Sequence, residues 1–252
     1  MATNDDGVWS LGFRALLRAL VKRGFYAKIY APLGNWSGSS KSIGRAGRIR
    51  SYPVELEVFR GYTLDAPPAA CVAVGLLSEG GFDAVISGVN HGPNIGLHDL
   101  LSSGTIGAAL EAALRGLSGV AVSSYCSRYE WGCVKPAAEA GVSALEALVK
   151  EAVEGGVIVV VNVPEKPRGV KITSPSPGAP QVESWVRGFE AYLGHKDHGR
   201  IYSGEELNID GGALVKGYIT VTVYRVTVNG IEVVRGCSLV ERIVESIKQI
   251  IR

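Results

Sequence analysis

The sequence predicts an α/β protein with a Rossmann-like, three-layer core: a mostly parallel sheet with helices on both faces. Two observations carry this prediction. Apolar runs of strand length alternate between residues 26 and 163 with segments whose apolar residues recur at helical spacing, and this alternation is typical of a parallel sheet built from βαβ units. The run 157–163 is β-branched apart from Asn162, as expected of a central strand buried on both faces.

The further elements follow from periodicity and from chain-breaking residues. Apolar residues at i, i+3, i+4, i+7 and i+8 predict a first helix over 9–23, which ends at Gly24. An Ala/Val/Leu-rich segment predicts a second helix over 69–77. Helical spacing of apolar residues predicts two more, from Gly104 to about 117 and over 136–153. Strands are predicted over 26–31, 54–58, 83–89 and 120–123. The segments 33–48 and 165–216 lack such periodicity and are predicted to be irregular.

The chain divides into a core at residues 1–164 and a C-terminal extension at 165–252. Asn229-Gly230 between β-branched runs predicts a β-hairpin over about 217–235. An apolar stripe predicts a terminal helix over 239–251. We expect the extension to belong to the same domain and to contribute to an oligomer interface. The alternative is that the hairpin and the helix pack on their own subunit.

Composition excludes several classes of protein. With 26 basic and 24 acidic residues the formal net charge is +2, so no overall field attracts nucleic acid or an anionic membrane. No apolar run reaches the ~18 residues of a membrane-spanning helix, and the acidic start does not resemble a signal peptide. We therefore expect a cytoplasmic protein, and we expect its four cysteines, which form no CxxC pair, to be free and mostly buried.

Two polar loops near the start of the chain are candidate binding sites, because α/β proteins bind ligands at the carboxyl ends of their strands. Asp5 and Asp6 directly precede the first helix, and adjacent carboxylates suit Mg²⁺ or Mn²⁺. The alternative is that they cap this helix. Ser37 and Gly38 lie in a Gly/Ser-rich loop whose backbone N–H groups would hold a phosphate, or which is simply flexible.

A third loop begins at the end of the strand over 83–89. It contains Gly88, Asn90 and Asn94, and SGT follows at 103–105, where the next helix is predicted to start. Helix N-termini bind anions, and the Asn90 side chain offers a neutral oxygen to a cation. The alternative is that these residues are only turn formers and helix caps. The three loops together predict a divalent cation beside a phosphate site, as in enzymes that cleave phosphoesters.

Five sequence blocks together resemble the SurE family. They are TNDDGV at 3–8, AP…SG at 31–38, SGVNHGPNIG at 87–96, SSGTIGAALEA at 102–112 and VNVP at 161–164. The blocks occur in the family's order and at similar spacing. The chain has neither GxxxxGK[ST] nor a GxGxxG after a strand, so the sequence signals of other phosphate-binding folds are missing.

The resemblance implies a metal-dependent phosphatase that hydrolyses nucleoside 5′- and 3′-monophosphates. It implies one divalent ion per subunit, Mg²⁺ or Mn²⁺, and a homodimer or homotetramer. The implied metal ligands are Asp5, Asp6, Ser37 and Asn90, of which Asp5 and Asp6 are also catalytic, with Asp5 the first candidate for general base or nucleophile. The candidate substrate and phosphate ligands are Asn4, Gly38, Gly88, Asn94, Ser103, Gly104 and Thr105.

Two other functions compete with this interpretation. A catalytically impaired nucleotide-binding protein of the same fold would bind metal without releasing phosphate. A dehydrogenase-like Rossmann enzyme would bind a dinucleotide, and the missing glycine fingerprint disfavours it. We expect neither nucleic acid nor a membrane as a partner.

Overall fold

The computed structural model describes residues 1–44, 47–151, 155–177, 182–188, 190–195 and 206–251. The strands in these residues are β1 (Ala2–Thr3), β2 (Ile29–Pro32), β3 (Ser51–Leu56), β4 (Phe59–Leu64), β5 (Ala84–His91), β6 (Ser118–Tyr125), β7 (Val157–Pro164), β8 (Val170–Ile172), β9 (Val182–Arg187), β10 (Glu190–His195), β11 (Ile219–Thr227) and β12 (Gly230–Val234). The helices are α1 (Leu11–Lys22), α2 (Pro68–Ser78), α3 (Gly96–Ser102), α4 (Gly104–Leu114), α5 (Trp131–Lys150), α6 (Asp210–Val215) and α7 (Ser238–Lys248). None of these helices is long and apolar enough to span a membrane.

The centre of the molecule is one mixed, mostly parallel sheet. Its strands lie in the order β12-β11-β7-β6-β5-β1-β2-β4-β3, with β8 beside β11. The six strands from β7 to β4 in this order run parallel. The pairs β3–β4, β7–β11 and β11–β12 are antiparallel, and β8 runs parallel to β11. The predicted α/β class is therefore confirmed.

Helices cover both faces of this sheet. On one face α1, α5 and α7 share an apolar cluster whose fully buried side chains include Phe13, Leu16, Val142 and Ile243. On the other face α2 and α4 pack through small residues. A Cβ added at Gly119 of β6 would lie 2.8 Å from Ala109 of α4, so small side chains bring this helix layer close to the strands.

The position of β1 determines where a ligand binds. After β1, the chain adds β2 and β4 on one side of it and then returns to place β5, β6 and β7 on the other side. Such a reversal leaves a crevice at the carboxyl ends of the two strands where it occurs. The residues that follow β1 and the end of β5 therefore lie together at this edge of the sheet.

Several short elements differ from the prediction. The single strand predicted over 54–58 ends at Leu56, because Glu57 adopts a left-handed φ of 54° in a tight turn that leads into β4. Val58, predicted to belong to this strand, is 69% exposed in the turn. The strand β4 and the short elements α3, β8, β9, β10 and α6 were not predicted, and α5 begins at Trp131, five residues before its predicted start.

The C-terminal hairpin and helix form as predicted. In the described part of the chain, β11 and β12 pair around Val228-Asn229, β11 also pairs with β7, and α7 packs on α5. Within the chain, the hairpin extends the central sheet and the terminal helix packs beside α5. The strands β9 and β10 form a separate two-stranded sheet. The boundary at residue 164 and a contribution of the extension to an oligomer interface stay predictions.

The cysteine prediction is wrong for one pair. Cys126 and Cys133 form a disulfide, with their Cα atoms 6.2 Å apart. The reason is that the connection from β6 to α5 folds back on itself and brings the two residues together. Cys71 is a fully buried free thiol, as expected, and Cys237 is free and half-buried.

Candidate active site

Asp5 and Asp6 follow β1 directly and are tied to two different segments. Asp5 is 2% exposed, and Thr105 donates to it twice: the backbone N–H to Oδ2 at 3.1 Å and the hydroxyl to Oδ1 at 2.5 Å. The half-buried Asp6 accepts the backbone N–H of His91 on Oδ2 at 3.1 Å. The acidic pair is thus joined to the N-terminus of α4 and to the end of β5.

The acidic pair does not cap α1. The N-cap of α1 is Ser10, whose hydroxyl accepts the N–H of Phe13 at 3.2 Å. Ser103 caps α4 in the same way, accepting the N–H of Ile106 at 3.2 Å, so for Ser103 the capping alternative is the observed one. Since α1 has its own cap, helix capping does not explain the two acids, and Asp5 instead faces the positive end of α4.

The electrostatics of the pair favour a bound cation. Burial and, to a smaller extent, the charge of Asp6 raise the pKa of Asp5, the hydrogen bonds from Thr105 oppose the shift, and the resulting pKa is about 6. Burial also raises the pKa of Asp6. Among the described residues no basic side chain forms an ion pair with either carboxylate. A cation bound to both would offset the cost of burying two adjacent negative charges.

Oxygen atoms without partners surround this pair. The side-chain oxygen of Asn4 and the hydroxyl of Ser39 are buried and accept or donate no hydrogen bond, although the Asn4 amide donates to Gly7 O at 2.8 Å and to Ser10 Oγ at 3.0 Å. A Cβ on Gly104 would lie 2.8 Å from Ser39 Oγ and 3.0 Å from Asp5 Oδ2. A glycine at 104 therefore leaves room between these oxygens, and they fit a hard cation.

The loop with Ser37 and Gly38 is held at one end by Asp5 and at the other by Ser102, directly before α4. The N–H of Trp36 donates to Asp5 O at 2.7 Å, and the N–H of Ser40 donates to Ser102 O at 2.9 Å. Gly38 adopts a left-handed φ of 74° at the turn between these contacts. The exposed Ser37 thus lies one residue from a contact with Asp5, and its role as a metal ligand stays a prediction.

The third loop splits the predicted ligands into two groups. Asn90 is buried next to His91, and so next to the contact with Asp6; its amide donates to Gly92 O at 2.7 Å. Gly88 packs against β6, where a Cβ would lie 2.3 Å from Val122 O. Asn94 donates to the Ser123 hydroxyl at 2.8 Å. The structure thus brings the backbone at Asn90–His91 to Asp6, whereas Gly88 and the Asn94 side chain contact β6; Asn90 as a metal ligand stays a prediction.

Sequence reasoning missed Asp210, a buried carboxylate of the extension. It accepts the N–H of Gly96 on Oδ2 at 2.8 Å, and on Oδ1 the N–H of Ser176 at 2.8 Å, the hydroxyl of Ser176 at 2.6 Å and the N–H of Gly211 at 2.7 Å. Burial raises the pKa of Asp210, and these hydrogen bonds oppose the shift. Asp210 therefore anchors the third loop, where α3 begins, to the extension.

Comparison with known proteins decides the family. The family model described as Survival protein SurE matches residues 1–180 of this chain. The chain belongs to the SurE family. A relative from Aeropyrum pernix named 5′-nucleotidase SurE is 43% identical over 229 residues, which cover 90% of this chain and 85% of that protein. The resemblance carried by the five sequence blocks is thus confirmed.

Other SurE proteins match over a similar length. A 5′-nucleotidase SurE of Lawsonia intracellularis is 32% identical over 239 residues, covering 88% of this chain and 90% of that protein. The crystal structure of the SurE protein from Aquifex aeolicus superposes with a TM-score of 0.73 at 26% identity and covers 90% of this chain and 93% of its own. The likeness to SurE therefore includes the C-terminal extension as well as the core.

Proposed function

We propose that this SurE chain is a metal-dependent phosphomonoesterase that hydrolyses nucleoside 5′- and 3′-monophosphates to nucleoside and phosphate. The observation that carries the proposal is the buried pair Asp5 and Asp6, joined to the N-terminus of α4 and without a basic partner in the described residues. Relatives named 5′-nucleotidase SurE support the reaction and the substrate.

One divalent ion per subunit, Mg²⁺ or Mn²⁺, is the proposed cofactor, held by Asp5, Asp6, Ser37 and Asn90. When bound, such an ion withdraws charge from a phosphoryl oxygen and acidifies water. The described residues contain no cluster of three or more His, Cys, Asp and Glu that could hold a metal. The ligand set is then two carboxylates with neutral oxygens, which suits a hard cation that keeps several water molecules.

Residues of the chain would supply two further functions, phosphate binding and proton transfer. At the first turn of α4, the positive end of the helix dipole and the N–H of Gly104 would bind the phosphate. Ser103 and Thr105 stand on either side of Gly104, with their N–H groups donated to Asp99 O and Asp5 Oδ2, and Asn4 and Gly38 lie in the two loops beside it. We assign Asp5 as general base. Its carboxylate is held beside the first turn of α4 by two hydrogen bonds from Thr105, where it could take a proton from the attacking water.

Assembly and location belong to the same proposal. We propose a homodimer or homotetramer, with the separate β9–β10 sheet as a candidate interface. The nearly balanced charge supports a cytoplasmic enzyme without nucleic-acid or membrane partners.

A phosphate-release assay tests the reaction. Protein stripped with EDTA is incubated with AMP, GMP or an aryl phosphate, with and without Mn²⁺ or Mg²⁺, and inorganic phosphate is measured. We expect release from all three substrates only with a divalent ion, because the acidic pair needs a cation to act on phosphate. Metal binding without phosphate release would favour the impaired nucleotide-binding protein, and dinucleotide binding would favour the dehydrogenase-like enzyme.

Thermal unfolding tests the metal site independently of catalysis. The pKa of Asp5 is raised to about 6 in the folded protein from about 3.9 in an unfolded chain. Between these two pKa values the folded protein binds more protons than the unfolded chain. The metal-free fold therefore loses stability as the pH rises from about 3.9 to about 6. Since a cation competes with the proton for the same oxygens, Mn²⁺ should stabilise the protein more at about pH 7.5 than at about pH 5.

The size of this effect follows from mass action. Mn²⁺ at about 100 times its Kd adds about 2.7 kcal/mol, which raises the Tm of a chain of this length by roughly 5–10 °C. The measurement is a circular dichroism melt of EDTA-stripped protein with and without Mn²⁺, with NaCl at matched ionic strength as control. An equal rise in Tm at both pH values would contradict a site made by the two acids.

A further inference from the structure

The strand β5 carries an irregularity directly before Asn90. Its pairing with β6 shifts between Ser87 and Asn90, so that β5 has one extra residue there. Bulges of this kind occur next to active sites, where they redirect side chains. The carbonyl of Val89, within this irregular stretch, accepts the hydroxyl of Tyr129 at 3.1 Å.

Tyr129 also contacts the residue on the other side of Asn90. Its ring stacks on the imidazole of His91 with the ring centroids 4.2 Å apart and the planes 28° from parallel. The backbone N–H of His91 in turn donates to Asp6 at 3.1 Å. One side chain therefore holds both neighbours of Asn90, and through His91 it reaches the hydrogen bond to Asp6.

The segment that carries Tyr129 is fastened at several points. The disulfide Cys126–Cys133 closes it into a loop, and Cys133, in the first turn of α5, is buried in the core. Ser127 donates its N–H and its hydroxyl to Glu165 at 3.1 and 2.8 Å. On the α1 side, a Cβ on Gly12 would lie 2.2 Å from the Tyr129 hydroxyl. We call residues 126–133 the disulfide loop.

We propose that Tyr129 is a positioning residue of the metal site, which the disulfide loop holds against Val89 and His91 so that Asn90 and Asp6 keep their places. This inference rests on the proposed function, since it needs Asn90 and Asp6 to bind the metal. Groups that support metal ligands from behind change metal affinity about 10–100-fold when they are removed. Tyr129 acts through the carbonyl of Val89 and the imidazole of His91.

The test compares variants that remove the two contacts separately. Tyr129→Leu removes the ring and the hydroxyl, Tyr129→Phe removes only the hydroxyl, and a Cys126→Ser/Cys133→Ser double variant opens the loop. Tyr26→Leu is the control, because Tyr26 is 83% exposed and precedes β2 at the amino-end edge of the parallel sheet, opposite the edge that carries the acidic pair. Mn²⁺ affinity is measured by titration calorimetry, and exchange of the His91 amide by hydrogen–deuterium exchange on metal-free protein.

We expect Tyr129→Leu to weaken Mn²⁺ binding about 10-fold and to speed exchange of the His91 amide. Tyr129→Phe should restore most of the affinity because it keeps the stacked ring, the double variant should fall between the two, and Tyr26→Leu should match the wild type. Rescue by Phe separates positioning from a general loss of packing, which would lower stability without restoring affinity in this order.

The following results would overturn the inference. The first is that Tyr129→Leu binds Mn²⁺ within about twofold of the wild-type affinity and exchanges the His91 amide at the wild-type rate. If circular dichroism shows Tyr129→Leu to be unfolded, the Phe and double variants decide, and wild-type values in both would overturn it. A wild-type protein that binds no Mn²⁺ removes the proposed function together with this inference, whereas unaffected variants of a metal-binding wild type remove the inference alone.

Discussion

Asp6→Asn is expected to lower metal-stimulated hydrolysis of AMP on the order of 10²–10³-fold, as removal of one stabilising charge or donor does in other active sites. The amide keeps the size of the carboxylate, and its oxygen can still accept the N–H that His91 donates at 3.1 Å. It removes one of the two negative charges that would hold the cation. The expected loss is therefore of metal-dependent turnover rather than of structure.

The thermal stability of Asp6→Asn is a second expected result. Burial raises the pKa of Asp6, which means that the folded protein disfavours its charged form. A neutral amide relieves this cost, so metal-free Asp6→Asn should melt at the wild-type Tm or above it. In the presence of Mn²⁺ the order should reverse, because only the wild type gains stability from a tightly bound ion.

The matched control for Asp6→Asn is Asp65→Asn. Asp65 pairs with Arg50 at 2.8 Å, and its side chain is 43% exposed, so the same chemical change there removes only a surface ion pair worth about 0.2–1 kcal/mol. The kcat/KM for AMP at saturating Mn²⁺ is measured for both variants. Near-normal turnover of Asp6→Asn, or an equal loss in both variants, would remove the metal site from the proposal.

The sequence predicted the core of the site because that part depends on local pattern. The strand that becomes β5 is apolar and of ordinary length, and the acids at 5 and 6 stand between a buried start and an amphipathic helix. In a parallel sheet the carboxyl ends of neighbouring strands share one edge. Asp6 and the Asn90–His91 segment could therefore be placed together without coordinates, and the hydrogen bond from His91 to Asp6 agrees with that placement.

The support around the site escaped prediction because it depends on contacts between distant segments. Asp210 and Gly96 are 114 residues apart, and Asp210 lies in a stretch without apolar periodicity. Tyr129 reaches Val89 across 40 residues. The spacing of Cys126 and Cys133 matches no common motif, so their pairing depends on how the loop between β6 and α5 folds. No local pattern encodes such contacts.

Asp210→Ala is expected to have the largest effect on stability, lowering the free energy of unfolding by about 3 kcal/mol or more. The carboxylate accepts four hydrogen bonds, from the N–H groups of Gly96, Ser176 and Gly211 and from the Ser176 hydroxyl. Alanine would leave the N–H groups of Gly96 and Ser176 without this acceptor, at about 1–3 kcal/mol for each one that water cannot reach, whereas the N–H of Gly211 also donates to Ser176 Oγ at 3.1 Å. Because burial raises the pKa of Asp210, part of this loss is offset by the relief of a desolvated charge.

Guanidinium unfolding of metal-free protein measures the effect, with Asp65→Ala as the exposed control, for which we expect a change within about 0.5 kcal/mol. A change in Asp210→Ala as small as in the control would mean that the carboxylate contributes nothing net to the fold. Exchange of the Gly96 amide adds a local readout, because its N–H donates to Asp210 at 2.8 Å. Faster exchange there, together with weaker Mn²⁺ binding, would show that the extension keeps the third loop in the shape that the site requires.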